Sequence, residues 1–162
     1  MSQQEKTVPL RTAILTVSDT RTFDTDRGGL SIQSYLTDRG HQVIDYAIVK
    51  DEKEKIQQYL HEWVCSVDAI IVTGGTGLAK RDVTIEAVRP LAEKEIPGFG
   101  ELFRFLSYRD DIGARAMASR AFAAVICQSV VFCLPGSVKA IKLAMEKLIL
   151  PELPHLVSEI TK

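Results

Sequence analysis

Three polar or glycine-rich segments in this chain carry residue types suited to holding phosphate. The first is Thr73-Gly74-Gly75-Thr76-Gly77, running on through Leu78-Ala79-Lys80-Arg81-Asp82-Val83-Thr84. Glycines without a Cβ allow positive φ and close backbone approach, so successive N–H groups can turn toward one anion. A helix starting behind the loop would add its N-terminal partial positive charge. A tight strand-to-helix connection would explain one or two of these glycines, whereas three flanked by two threonines favour a ligand. The spacing is neither G-x-x-x-x-G-K-[ST] nor G-x-G-x-x-G, since Lys80 stands where the third glycine of the dinucleotide fingerprint belongs. The usual nucleotide-hydrolysing loop and the NAD fold both lose ground.

The second segment is Pro135-Gly136-Ser137-Val138-Lys139. Here Ser137 caps a helix, or the same helix start receives an anion that Lys139 helps to neutralise. The third is Ser18-Asp19-Thr20, a polar stretch behind an apolar run. Two acids complete the set. Asp51 and Asp82 both fall at expected helix starts, where capping accounts for either. Asp82 also lies close behind the glycine loop and beside Arg81, so its carboxylate could hold Mg²⁺ against phosphate oxygens.

The elements that must position these residues alternate. Thr12–Val17, Gln42–Val49 and Asp68–Thr73 are short apolar runs that predict strands. Between them, a helix from Gly29 to a stop near Gly40 and a second from Asp51 carrying Ile56, Tyr59, Leu60 and Trp63 are expected. Val83 to Val88 predicts a helix that Pro90 ends by disfavouring Arg89. Phe99 to Tyr108 predicts another, with Phe99, Leu102, Phe103 and Leu106 on one face. Ala121–Cys127 and Ser129–Leu134 then read as two strands, one antiparallel to its neighbour because the connection is short. A helix from Gly136 should be interrupted at Pro151, before a last helix with Leu153, Leu156 and Ile160. This alternation predicts a three-layer α/β/α sandwich with a mostly parallel sheet and one antiparallel strand, residues 1–162 forming a single domain. In such sheets ligands bind beyond the carboxyl ends of the strands, where strand order reverses. The three polar segments should meet there.

Composition narrows the classes. The 162 residues are 46% hydrophobic and 25% charged with a net charge of −1, an average globular balance without the basic field of a nucleic-acid binder. Met1 to Pro9 is polar and lacks targeting patterns, and no apolar run is long enough to cross a bilayer, so a cytoplasmic location away from membranes is expected. Cys65, Cys127 and Cys133 are odd in number, sit in apolar sequence and form no C-x-x-C pair, and the three histidines are scattered. A structural zinc site is not expected.

Taken in order, Thr73-Gly74-Gly75-Thr76-Gly77, Arg81-Asp82-Val83-Thr84, Pro97-Gly98-Phe99-Gly100-Glu101 and Leu134-Pro135-Gly136-Ser137 resemble the motifs of the MogA/MoaB family of molybdenum cofactor biosynthesis proteins, which includes the G domain of gephyrin. The resemblance covers about Arg11 to Leu150. It implies molybdopterin as ligand and a homotrimer or dimer of trimers, with hand-over to a molybdate-insertion protein. In active members it implies Mg²⁺-dependent transfer of AMP from ATP to the terminal phosphate of molybdopterin. By the same resemblance Asp82 and Asp51 match the family's two acids, Thr73 to Gly77 its glycine loop, Glu101 part of its substrate-binding set, and Gly136-Ser137 its phosphate-proximal region. Many members carry proline where this chain has Ile85 and Lys50. Some members of the B branch, which this chain resembles around Pro97–Ser107, have lost the motif aspartate. This chain keeps it. The alternative role is a molybdopterin-binding carrier without catalysis.

Overall fold

The computed structural model describes residues 8–162; residues 1–7 of the polar N-terminal stretch lie outside them. Six strands, β1 (Arg11–Val17), β2 (Gln42–Val49), β3 (Ala69–Thr73), β4 (Lys94–Glu95), β5 (Phe122–Ile126) and β6 (Ser129–Leu134), form one sheet in the order β2-β1-β3-β6-β5-β4. β2, β1, β3 and β6 run parallel, while β5 is antiparallel to both of its neighbours. The short strand β4 has no apolar run to announce it, and its pairing with β5 exists only through the tertiary fold.

Six helices cover the sheet: α1 (Arg27–Asp38), α2 (Lys53–Trp63), α3 (Thr84–Val88), α4 (Pro97–Ser107), α5 (Val138–Ala144) and α6 (Leu150–Ile160). Consecutive residues of each central strand face opposite layers. Ile14, Ile71 and Phe132 pack with Ile32, Phe103, Ile141 and Leu153, on the side of α1, α4, α5 and α6. Leu15, Ile70 and Val72 pack with Ile56, Leu60, Trp63, Ile85 and Val88, on the side of α2 and α3. Burial on both faces explains why these strands read as unbroken apolar runs.

Several expected boundaries move. α1 begins at Arg27, because Asp26 caps it by accepting from the Gly29 N–H at 3.0 Å. Gly40, at φ 83°, follows its C-terminus as expected. Pro90 does not expel Arg89, which stays helical as α3 tightens into a 3₁₀ turn over Arg89–Leu91. In α4 the buried face is Phe99, Gly100, Phe103 and Ser107, and Leu102 is exposed. Pro151 does not interrupt the last helical run. A π-turn over Met145–Ile149 joins α5 to α6, and Pro151 falls directly after this widened turn, at the second position of α6.

Candidate functional site

The sheet reverses its order at β1, which is flanked by β2 on one side and β3 on the other. Polar segments leave the carboxyl ends of β1, β3 and β6, three adjacent strands, and they meet as the fold rule requires. Gly75, Thr76, Gly77, Asp82, Gly136 and Ser137 line a cleft of about 310 Å³ whose far wall comes from Phe103, Ser107 and Arg115. An adjoining cleft is bordered by Ser18, Arg21, Asp26, Thr73 and Gly74, and it shares Gly136 and Ser137 with the first.

The glycine loop has the backbone that its composition predicts. Gly74 and Gly75 lie at φ 97° and 68°, where an L side chain is strained. A Cβ at Gly74 would collide with the Val17 carbonyl, and one at Gly75 with the Thr84 hydroxyl. Buried Thr73 donates to the Pro135 carbonyl at 3.1 Å, tying the β3 and β6 loops together. Thr84 Oγ1 donates to the Gly74 carbonyl at 2.8 Å, and the Thr84 N–H to that of Gly75 at 3.1 Å. Among the described residues, the N–H groups of Gly75, Thr76 and Gly77 donate to no protein acceptor. Three consecutive donors left without a protein acceptor beside a cleft are a backbone arrangement that can receive an anion. The helix dipole contributes less than expected, because α3 starts only at Thr84, seven residues past Gly77, and is five residues long.

Neither acid caps a helix. α2 is entered through Glu52 and α3 through Val83, each without a side-chain capping bond. Asp82 instead closes the loop that follows the glycines, its Oδ2 accepting from the Ala79 N–H at 3.0 Å. A Cβ at Gly77 would sit 2.8 Å from that oxygen, so the glycine lets the carboxylate lie against the loop. Asp51 joins from the β2 end, its N–H donating to Asp19 Oδ1 at 3.0 Å. Burial pushes the Asp51 carboxyl above its ordinary value, and the negative charges of Asp19 and Asp82 add to the rise while Arg81 opposes it. These acids are close enough to feel one another. Among the described residues, however, no three His, Cys, Asp or Glu side chains are grouped to hold a metal by themselves. A magnesium ion at Asp82 would complete its shell from substrate phosphates and water, which is how Mg²⁺ is usually bound.

Not every expected residue reaches the clefts. Asp19 and Thr20 line neither of them, while Ser18 borders the second and folds its own loop by accepting from the N–H groups of Thr20 and Arg21 at 3.2 and 3.1 Å. Ser137 does cap α5, accepting from the Ala140 N–H at 3.2 Å, while still lining both clefts. Capping and ligand contact are compatible there. Lys139 turns to a neighbouring surface groove with Asp110, Asp111 and Lys142. Glu101 borders a separate depression with Arg89, Glu95 and Arg104.

Arg120 is the main residue that the sequence did not single out. Its guanidinium donates to the Gly77 carbonyl from Nε at 3.0 Å and Nη2 at 2.8 Å, and from Nη2 to the Asp82 carbonyl at 3.0 Å. It also pairs with Glu86, whose carboxyl that hydrogen bond holds below its ordinary value. One side chain thus spans the glycine loop and the Asp82 turn. Asp26 was missed as well. It is buried beside the second cleft, taking a hydrogen bond from Thr16 Oγ1 at 2.6 Å and another from the Tyr46 hydroxyl. No local pattern marks Arg120, because its side-chain partners lie far away in sequence; Asp26 could have been found as the cap of α1, but its Thr16 and Tyr46 partners are not local.

The family model described as "Probable molybdopterin binding domain" matches residues 13–155, nearly the whole chain. The chain belongs to that family. Molybdenum cofactor biosynthesis protein B of Staphylococcus aureus (strain COL) is 55% identical over 156 residues, covering 94% of this chain and 93% of the relative. A crystal structure of a molybdenum cofactor biosynthesis protein B superposes with a TM-score of 0.93 at 52% identity, over 96% of this chain and 98% of the other. The tungsten cofactor synthesizing protein MoaB from Pyrococcus furiosus superposes at 0.86 with 35% identity, over 95% and 98%. The cleft therefore lies on a fold that the chain shares over nearly its whole length with these relatives.

Proposed function

We propose that the chain acts in molybdenum cofactor biosynthesis, binding molybdopterin in the cleft at the carboxyl ends of β1, β3 and β6. We further propose that it transfers AMP from ATP to the terminal phosphate of molybdopterin. The observation that carries the reading is the row of free N–H groups on Gly75, Thr76 and Gly77 beside the Asp82 carboxylate, in one cleft with Gly136 and Ser137. It supports a phosphate seat with a negatively charged group at its edge. The attacking atom is a phosphate oxygen, already charged near neutral pH, so the transfer needs no general base. Its barrier lies in bringing anions together and in stabilising the departing pyrophosphate, so positioning and electrostatics dominate.

In this reading the loop amides hold phosphate oxygens, and Arg115 at the rim neutralises part of their charge. Bound magnesium would supply further charge neutralisation, and Asp82 is the residue that would hold it. Asp51, whose carboxyl is pushed above its ordinary value by burial and its acidic neighbours, orients the second substrate. The decisive experiment is pyrophosphate release from ATP and Mg²⁺ with and without molybdopterin. Release that depends on molybdopterin supports the transferase, whereas tight binding without release leaves the carrier role.

We also propose assembly as a trimer or a dimer of trimers. Leu102, Phe105, Tyr108, Ile112 and Met117 are exposed on α4 and the turns behind it, and Met117 is 81% exposed. Large apolar side chains gathered in one region favour burial against another copy. A light-scattering mass that is a multiple of three is expected; a monomer at micromolar concentration would refute the assembly.

A further inference from the structure

Cys65 and Cys127 are 62 positions apart in the sequence, yet their Sγ atoms lie 3.4 Å from one another. The sequence placed all three cysteines in apolar surroundings, but only Cys133 is buried, and these two are exposed. Cys65 follows the end of α2, while Cys127 and Gln128 make the turn between β5 and β6. Together they border a shallow pocket with Ser66, Asp68 and Thr161. Cys127 adopts φ 56° and is the one non-glycine residue at positive φ among the described residues. Two-residue hairpin turns favour glycine, asparagine or aspartate in that conformation. Core packing therefore calls for cysteine at neither position, and turn chemistry argues against it at Cys127. What the fold achieves is to bring two thiols together.

We propose that Cys65 and Cys127 are a redox-modifiable dithiol that closes to an intramolecular disulfide and staples the β5–β6 turn to the end of α2. The sulfurs need to approach by roughly 1.4 Å to reach bonding distance. A peroxide supplies the oxidising equivalents. One thiolate attacks a peroxide oxygen, the O–O bond breaks, and a sulfenic acid and a hydroxide form, the hydroxide taking up the thiol's proton as water. The second sulfur then attacks the sulfenic sulfur and expels its hydroxyl, which leaves as water with the second thiol's proton. The two thiols lose two electrons, and the peroxide leaves as two waters. A low-molecular-weight disulfide accomplishes the same change by exchange, departing as two thiols. The hydrogen bond and charge of Cys127 hold the Cys65 thiol above its ordinary value, as two thiols in contact require.

The pair lies at the amino end of β3 and the clefts lie at its carboxyl end, so the staple braces the sheet without entering the binding cleft. The test treats the whole chain with hydrogen peroxide or oxidised glutathione, alkylates the remaining thiols, and maps peptides by mass spectrometry. The expected product is a peptide pair joined through Cys65 and Cys127, with Cys133 alkylated only after unfolding. Closing a loop of this length should raise the melting temperature by roughly 10 °C, reversed by reduction and absent from Cys65→Ser and Cys127→Ser. Separate sulfinic acids, disulfide-linked chains on a non-reducing gel, or a crosslink without the thermal shift would overturn the proposal.

Discussion

Asp82→Asn removes a negative charge from the cleft while leaving the shape of the side chain intact. The amide oxygen can still accept from the Ala79 N–H, the 3.0 Å bond that closes the loop. A hydrogen bond to a charged acceptor contributes about 1.5–3 kcal/mol and a neutral one about 0.5–1.5 kcal/mol, so the substitution weakens this bond by about 1 kcal/mol. Part of that is offset, because the Asp82 charge helps to push the Asp51 carboxyl up and its removal relieves the repulsion. The net change in stability should stay within about 1 kcal/mol, or about 2–4 °C in melting temperature for a chain of this size. Adenylylation should fall much further. If the carboxylate acts through magnesium on the departing phosphates, its loss compares with deleting one preorganised electrostatic contact, roughly 10²-fold or about 2.7 kcal/mol of barrier. Molybdopterin binding should change little, because the free amides of the glycine loop remain. The assay is pyrophosphate release alongside thermal unfolding and ligand titration of the same variant. Turnover near that of the parent would refute the proposed role of the charge. A stability loss of about 3 kcal/mol or more would refute the account of the loop.

The glycine loop can be tested against a control position. Gly75→Ala places a Cβ at φ 68° against the Thr84 hydroxyl and should cost about 2–4 kcal/mol, whereas Gly40→Ala, at φ 83° with nothing within 4 Å, should cost only about 1–2 kcal/mol by chemical denaturation. Arg120→Lys cannot reproduce the fork that spans Gly77 and Asp82, so a loss of about 1–3 kcal/mol and weaker molybdopterin binding are expected; unchanged values would show that the brace is dispensable. Asp51 gives a dependence on pH. Its carboxyl lies above the ordinary value in the folded state, so the native state binds that proton more tightly, and the penalty on folding grows as pH rises past the ordinary value and is complete above the folded one. Asp51→Asn should therefore melt higher than the parent at neutral pH, and the gain should vanish below about 3.9, where the carboxyl is protonated in both states. A gain that persists in acid would point to another cause.

Short-range rules made much of this molecule legible in its sequence. Thr12–Val17, Asp68–Thr73 and Ser129–Leu134 could be read as strands because burial on both faces demands continuous apolar runs, and that need is written in neighbouring residues. Thr73 to Gly77 announced a loop of left-handed backbone because positive φ favours glycine wherever it occurs, and Gly74 and Gly75 adopt it. The tertiary structure decided whatever depends on distant partners. It brought Arg120 onto the Gly77 and Asp82 carbonyls, set Cys65 against Cys127, and turned Glu101 to another surface. Side-chain period and backbone conformation are local properties and survive in a one-dimensional record. Pairings across 30 to 60 residues arise only when the sheet order is fixed, and nothing in the spacing of the residues encodes that order.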